Sequence, residues 1–394
     1  MNLTTRLWRL DTLLQETAWL WRPQPFKLAR PDWCERLPRL CEQLLALSED
    51  EVARYGAHPE ALSNLLEPYL PQLTELQRLC QLSATEVTSL EDLGPHFHAG
   101  IPGRKWQQIA AFAAAVGPVM SPILEWCGGK GHLGRLLGKQ WHRPVRTVEH
   151  DATLCAEGEQ LAQRAGVGQR FYCVDALSSE ATSHLAGHHP LALHACGELH
   201  RTLLRQAVAV GVPAFDIAPC CYYIGAGERY QPFSEGLHLQ LSRDDLRLAV
   251  TETVTAAGRE VLRRDREMAW KLGYEMVRRQ CCGETAYLPI KPIDKGWLNL
   301  DFAGFCQRLA EREGRELPEA ILWQEYEEFG WRRQREVMRL SLVRAAFRRA
   351  LEMWLVLDMA AFIEAAGYAV TLGIFCERGL TPRNILLSAR RRMV

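Results

Sequence analysis

Pro122-Ile-Leu-Glu-Trp-Cys-Gly-Gly-Lys-Gly-His-Leu-Gly134 decides the fold of this chain. A short apolar run ends in the carboxylate of Glu125. Glycines stand at 129, 131 and 134, and then comes the helix-like Arg135-Leu-Leu-Gly-Lys-Gln. Read as a buried parallel strand, the run makes the glycines the turn into the next helix, where only glycine lets backbone approach a ligand closely. A nucleotide-like cofactor is expected on this loop, with the chemistry beside it.

The spacing Gly129-x-Gly131-x-x-Gly134, with Glu149 about 20 residues after Gly129, also fits a dinucleotide fingerprint. Two features favour S-adenosylmethionine (SAM) over NAD. A carboxylate just ahead of the turn can anchor the methionine ammonium through the loop, whereas it would repel a pyrophosphate. The order of the downstream strands is the second. Arg146-Thr-Val-Glu149 reads as a second strand whose acid suits both ribose hydroxyls. Arg170-Phe-Tyr-Cys-Val-Asp175 reads as a third, with Asp175 placed to accept from the adenine amino group. Leu191 to Gly197 and Ala214 to Ala218 read as a fourth and a fifth, with helices Ala152 to Ala165 and His200 to Val210 between strands. Such alternation implies right-handed crossovers and a parallel sheet, with ligands at the carboxyl ends of the strands.

Further along, His194-Ala-Cys-Gly-Glu-Leu-His200, Pro219-Cys-Cys-Tyr-Tyr223 and Leu380-Thr-Pro-Arg-Asn-Ile385 occur in that order. With them the chain resembles a group of SAM-dependent methyltransferases that includes the methyltransferase-like proteins carrying a ribosomal RNA adenine dimethylase domain. It is similar, more distantly, to the eukaryotic tRNA acceptor-stem 2′-O-methyltransferase. The likeness covers residues 100–235 strongly and 345–394 well. It implies an α/β fold of the class I SAM-dependent type, a Rossmann-like seven-stranded sheet, and methyl transfer to RNA at oxygen or nitrogen. Where the family often has the first loop glycine, this chain has Cys127, so the turn must accept a small side chain.

Four stretches are expected. Residues 1–100 show helical leucine periodicity, punctuated by prolines, and form an N-terminal domain; Gly94 to Gly103 is its hinge. Residues 101–235 hold the SAM-binding core, entered by a helix from Trp106 to Val116 on which Lys105 and Gln108 can help close the site. Residues 236–343 form a helical insertion, with long helices over Asp244 to Arg279 and Trp331 to Arg349. Residues 344–394 complete the core with an amphipathic helix, Glu352 to Ala366, a sixth strand, Tyr368 to Cys376, and an antiparallel seventh, Asn384 to Ser388.

Composition narrows the partners. Lysine plus arginine and aspartate plus glutamate are 47 each, so the chain is no obvious polyanion binder. The charge is uneven: residues 1–100 hold 9 basic and 14 acidic groups, residues 251–394 hold 24 and 20. Arg332, Arg335, Arg339, Arg348 and Arg349 partly share a helix face that could touch phosphates, or that could be solvated and paired with Glu325, Glu327 and Glu328. No run approaches 18 uncharged apolar residues, so no membrane span is expected, and the N-terminal residues lack a signal core. Thirteen cysteines without a C-x-x-C pair fit reduced thiols in a cytoplasmic protein. The adjacent pairs Cys220-Cys221 and Cys281-Cys282 cannot easily chelate one zinc together, so no metal ligands are expected. No obligate protein partner is evident.

SAM brings an activated methyl, so the protein must orient an acceptor and, where needed, take a proton. Glu125, Cys127, Gly129, Gly131, Glu149, Asp175 and His194 are the expected cofactor-binding residues. His194, Cys196, Cys220, Cys221 and Tyr222 are the expected catalytic group, His194 as a general base. Tyr223, Arg383 and Asn384 should border the acceptor, with Tyr222 or Tyr223 able to stack on a base. Cys196 and Cys220 also occupy roughly the places of the thiolates that attack carbon 5 of cytosine in RNA. The favoured reading is an RNA methyltransferase acting on tRNA or rRNA. The others are action on a protein or small molecule, a role as a binding module, and, as a minor one, cytosine-C5 methylation.

Overall fold

The computed structural model describes residues 1–28, 30–251, 258–283 and 287–392, without the side chains of residues 281 and 282. The pair Cys281-Cys282 and residues 252–257 of the long helix read from the sequence therefore lie outside the described residues.

Seven strands form one sheet: β1 Ile123–Trp126, β2 Val145–Glu149, β3 Gln169–Cys173, β4 His189–Cys196, β5 Ala214–Cys220, β6 Tyr368–Ile374 and β7 Ile385–Arg391. Their order is β3-β2-β1-β4-β5-β7-β6. β1 to β5 are mutually parallel, and β7 runs antiparallel to both β5 and β6. Each parallel crossover carries a helix, which is why β1 is buried along its whole length. Strand order reverses beside β1, so a crevice opens at the carboxyl ends of β1 and β4, as open α/β sheets require. This is the class I SAM-dependent methyltransferase fold. The antiparallel β7, expected from the sequence, is its distinguishing end. At the opposite sheet edge, β6 is covered by Ser83 to Thr85: Thr85 N–H donates to the Ile374 carbonyl (2.9 Å) and Ile374 N–H to that of Ser83 (2.9 Å). This bridge pairs only the last residue of that edge strand.

The chain divides into two compact units, and they cut across the four expected stretches. One comprises residues 1–15, 75–252 and 348–394; the other comprises 16–74 and 253–347. Within the second unit the reason is visible. Helix Trp323–Ala346 sends Arg333 to the carbonyls of Pro25 and Leu28, Arg339 to that of Leu47 (2.8 Å) and Arg344 to that of Trp21 (2.7 Å). Residues read as an N-terminal domain and residues read as an insertion thus build one body. Periodicity reports which residues are helical, not which helices pack together.

Within the sheet-bearing unit, the segment after β5 is tied down by two buried carboxylates. Asp358 accepts from the Tyr230 hydroxyl (3.0 Å) and from the Phe233 and Ser234 amides (2.9 and 2.8 Å). Asp11 accepts from the His238 and Leu239 amides (2.8 and 3.1 Å) and from the Trp354 indole (3.0 Å). Trp354 and Asp358 are one turn apart on helix Arg348–Ala365, whose residues 350–360 are all buried. That helix was expected to be amphipathic from Glu352; it is instead enclosed, because helix Arg243–Val250 packs on it as well as β6. Likewise the helix expected from Trp331 to Arg349 ends at Ala346, and a new one begins at Arg348.

Asp11→Ala strands three donors, each costing about 1–3 kcal/mol when left unsatisfied. We expect urea unfolding to show a loss of at least about 3 kcal/mol. An unchanged unfolding midpoint would mean that Asp11 does not hold the segment.

Candidate active site

The glycine loop rests on a buried polar cluster. Glu125 is 4% exposed. Its carboxylate accepts from Thr147 Oγ1 (3.0 Å) and Gln169 Nε2 (3.3 Å), and from the amides of Leu133 and Gly134 at the start of helix His132–Trp141. Gln169 Nε2 also donates to Thr147 Oγ1 (2.8 Å) and to the Gly131 carbonyl (3.1 Å). Burial pushes the Glu125 carboxyl up to about 7, against these hydrogen bonds and the nearby Arg135 charge, which pull it down. From the sequence, Glu125 is expected to anchor an ammonium through the loop. The structure gives the carboxylate to the helix start and the two neighbouring strands, so it shapes the loop from beneath. A Cβ at Gly128 or Gly134 would come within 2.7 and 2.6 Å of that carboxylate, and one at Gly131 would strike Gln169 and Phe171. Gly131 was expected to admit the cofactor; its lack of a side chain serves this packing instead.

Gly129 differs. It has φ +58° and nothing near the position of a Cβ. Its amide donates to Glu149 Oε2 (2.9 Å), while Glu149 Oε1 accepts from the His150 and Asp151 amides (2.9 and 3.1 Å). Glu149 therefore ends β2 with its carboxylate against the open side of the loop. Asp175, two residues beyond β3, is exposed, its Oδ1 accepting from the Leu177 amide (2.9 Å). An open glycine flanked by two strand-end acids fits SAM: room for backbone contact, one carboxylate for ribose hydroxyls, one for an amino group.

Backbone strain collects at the same strand ends. Among the described residues four non-glycines have positive φ, and three of them are Cys127 (55°), His194 (69°) and Cys221 (44°). They stand at the ends of β1, β4 and β5. Such residues cost of order 1–3 kcal/mol each and persist where the surroundings over-determine them. Here a register shift between Leu193 and Cys196 turns His194 outward. Gly197 N–H donates to the Cys220 carbonyl (3.0 Å) and Glu198 N–H to that of Ile224 (2.9 Å), while a Cβ at Gly197 would strike the Ile224 carbonyl. The loops after β4 and β5 are thereby locked to each other.

These loops assemble the acceptor side. His194 is exposed, and its Nε2–H donates to Gln108 Oε1 (3.1 Å), leaving the Nδ1 lone pair. Packing around the ring lowers its pKa, as do Lys105 and Arg383, while Cys221 opposes them. Cys127 is held at about 12 by burial and by the nearby Glu149, Cys196 and Asp175, so it is a neutral thiol facing the cofactor side. Cys196, Cys220 and Cys221 lie together, their sulfurs all within 4.8 Å of one another. Thiol hydrogen bonds from Cys196 and Cys220 pull Cys221 well down, whereas Cys220 is pushed up. The cytosine-C5 reading assigned nucleophilic roles to Cys196 and Cys220, and both of those thiols are pushed up by their surroundings.

Two expected site residues prove structural. Tyr222 is 2% exposed, edge-on to His200 (5.7 Å), with burial raising its hydroxyl pKa, so it offers no stacking face. Asn384, 6% exposed, donates to the Cys376 carbonyl (2.8 Å) and accepts from Arg349 (3.4 Å), which fixes the turn between β6 and β7. Arg383 and Tyr223 remain half-buried near the cleft, with Arg247 over the Tyr223 ring (5.4 Å). Sequence reading missed Thr147 and Gln169. Their only signal was a polar residue at a strand position that faces a buried acid.

Residues 104–224 match the family model for a methyltransferase domain, a stretch that runs from the helix before β1 to the loop after β5. The chain is similar to an O-methyltransferase family protein from Burkholderia thailandensis at 11% identity, covering 84% of this chain and 70% of that one, with a TM-score of 0.31. It is similar to coclaurine N-methyltransferase bound to N-methylheliamine and SAH at 12% identity, covering 90% and 99%, with a TM-score of 0.27. No curated protein sequence matches the chain. The assignment rests on the family match, the sheet order and the loop. The protein is a SAM-dependent methyltransferase, and SAM is its cofactor. Among the described residues no helix is long and apolar enough to cross a membrane.

Two measurements check this site. Glu149→Ala should weaken SAM affinity by about 1.5–3 kcal/mol, the worth of a hydrogen bond to a charged group, in calorimetric titration. An unchanged dissociation constant with native circular dichroism would assign the ribose to another acid. The raised Glu125 carboxyl sets a pH dependence. Below 4.5 the group is protonated both folded and unfolded; as pH rises from 4.5 to about 7 the unfolded chain ionises first, so the group's stabilising contribution is lost across that window. The stability difference between wild type and Glu125→Gln should therefore fall with rising pH. A constant difference would place the carboxyl in its ordinary range.

Proposed function

We propose that the protein methylates RNA, at an oxygen or nitrogen of a nucleotide presented to the ends of β4 and β5. The carrying observation is His194, exposed at the end of β4, oriented by Gln108 and within electrostatic reach of Lys105 and Arg383. SAM supplies the electrophilic methyl. The residues of this chain then orient the acceptor and remove its proton. A histidine whose pKa is lowered by its surroundings is neutral at pH 7, and its Nδ1 lone pair can take the proton of a hydroxyl or ring nitrogen. The two cations beside it suit the flanking phosphates of a nucleic acid.

The basic face read from the sequence is only partly free to meet phosphates. Of the basic face from Arg332 to Arg349, Arg333 and Arg339 hold backbone carbonyls, and Arg349 pairs with Glu352 (2.6 Å). Arg332 and Arg335 remain exposed. That commitment, with zero net charge, favours a second reading in which the acceptor is a protein or a small molecule.

The two readings separate on salt. Reversing charge at Lys105 and Arg383 should flatten the log–log salt dependence of RNA binding by about 1.4–1.8, at roughly 0.7–0.9 per phosphate contact. RNA binding that ignores salt, or none at all, supports the second reading. His194→Ala should lower kcat about 10²–10⁴-fold, the range of a lost general base, with SAM affinity unchanged. Because the ordinary pKa is 6.5 and the surroundings lower it, wild-type kcat should rise with pH through a midpoint below 6.5. A kcat still rising above pH 7 would remove His194 from that role.

A further inference from the structure

Cys196, Cys220 and Cys221 form a cluster that proton removal by His194 leaves unused. We propose that the three cysteines bind a soft divalent cation, zinc in the cell, through their sulfurs, with a fourth coordination position open toward the acceptor cleft. The case is geometric first. Three thiolates on one tetrahedral zinc, at about 2.3 Å from the metal, stand roughly 3.8 Å from one another. Cys196 Sγ and Cys220 Sγ are 3.4 Å apart, and no pair in the cluster exceeds 4.8 Å. Shifts of about an ångström or less would complete the site. Among the described residues this is the one group of three or more cysteine, histidine or acidic ligands so close together.

The backbone is arranged to hold it. Cys196 and Cys220 are register partners on neighbouring parallel strands, which fixes two sulfurs side by side. Cys221 takes up a left-handed conformation that a non-glycine residue rarely adopts, and its sulfur joins the other two rather than pointing away. The lock between Gly197 and the Cys220 carbonyl keeps the loops from separating.

A disulfide would account for two sulfurs and leave the third, whereas a cation uses all three. Loading releases the thiol protons to solvent and involves no change of oxidation state. Cys220 is buried, while Cys196 and Cys221 are half-buried. The fourth position therefore falls on the solvent side, as in zinc sites with three protein ligands that keep one corner for water or a substrate group.

The full chain, purified under reducing, chelator-free conditions, should contain about one zinc per molecule by elemental mass spectrometry. After chelation and anaerobic titration with Co²⁺ alone, we expect a tetrahedral cobalt spectrum whose sulfur-to-cobalt charge-transfer intensity corresponds to three thiolates. Cys196→Ser, Cys220→Ser and Cys221→Ser should each lower cobalt affinity by more than the roughly 10–100-fold that outer-shell changes cost. Cys155→Ser should leave it unchanged. Calorimetric binding of S-adenosylhomocysteine by the same variants reports on the cofactor half of the site separately. The proposal is overturned by absence of zinc and of a cobalt spectrum in wild-type protein, by a charge-transfer band of fewer than three thiolates, or by equal metal retention in the serine variants.

Discussion

A carboxylate buried beneath a glycine loop organises this site. Glu125 is taken out of water by β1, which costs several kcal/mol unless hydrogen bonds compensate. Thr147, Gln169 and two amides at the start of helix His132–Trp141 supply part of that compensation, where the positive end of the helix dipole adds to it, and burial still raises the carboxyl to about 7. The arrangement leaves no room for side chains at Gly128 and Gly134. With those two packed inward, Gly129 is the glycine that faces open space, and its amide meets Glu149. One buried acid thus sets the path of the loop, and the loop path sets where Glu149 and Asp175 can reach a ligand.

The other half of the cleft depends on strain rather than on burial. Cys127, His194 and Cys221 adopt conformations that glycine would take without cost. Their retention of side chains puts a thiol, an imidazole and a second thiol at the ends of three strands. The register shift in β4 and the interlocked loops supply the stabilisation that holds them there. A rigid sheet therefore presents a reactive edge whose loops cannot relax independently of one another.

Much of this was legible in the sequence because parallel strands leave strong marks. The apolar run into the glycines placed β1, acids at strand ends placed Glu149 and Asp175, and the closing helix, strand and strand announced the antiparallel β7. Interactions distant in sequence left no such mark. Asp11 bonds residues 238, 239 and 354, and nothing local to a helical aspartate reveals that. Arginine side chains of the basic helix reach carbonyls about 300 positions away, so a stripe that looked solvent-facing is partly internal. Tyr222 and Asn384 failed as site residues for a related reason: polarity and position in a motif do not tell which way a side chain points. The sequence put Cys196, Cys220 and Cys221 at neighbouring strand ends but weighed chelation only for adjacent pairs, whereas strand register is what brings Cys196 beside Cys220.

A crystal structure of the protein with S-adenosylhomocysteine is the most direct test of this account. It should show both ribose hydroxyls on Glu149, the adenine amino group on Asp175, and the amino-acid end over Gly129 with Glu125 still bonded to Thr147 and Gln169. The ligand seated away from the carboxyl ends of β1 and β2, or Glu125 turned out to bind it directly, would contradict the claim that the buried carboxylate shapes the loop rather than holding the cofactor.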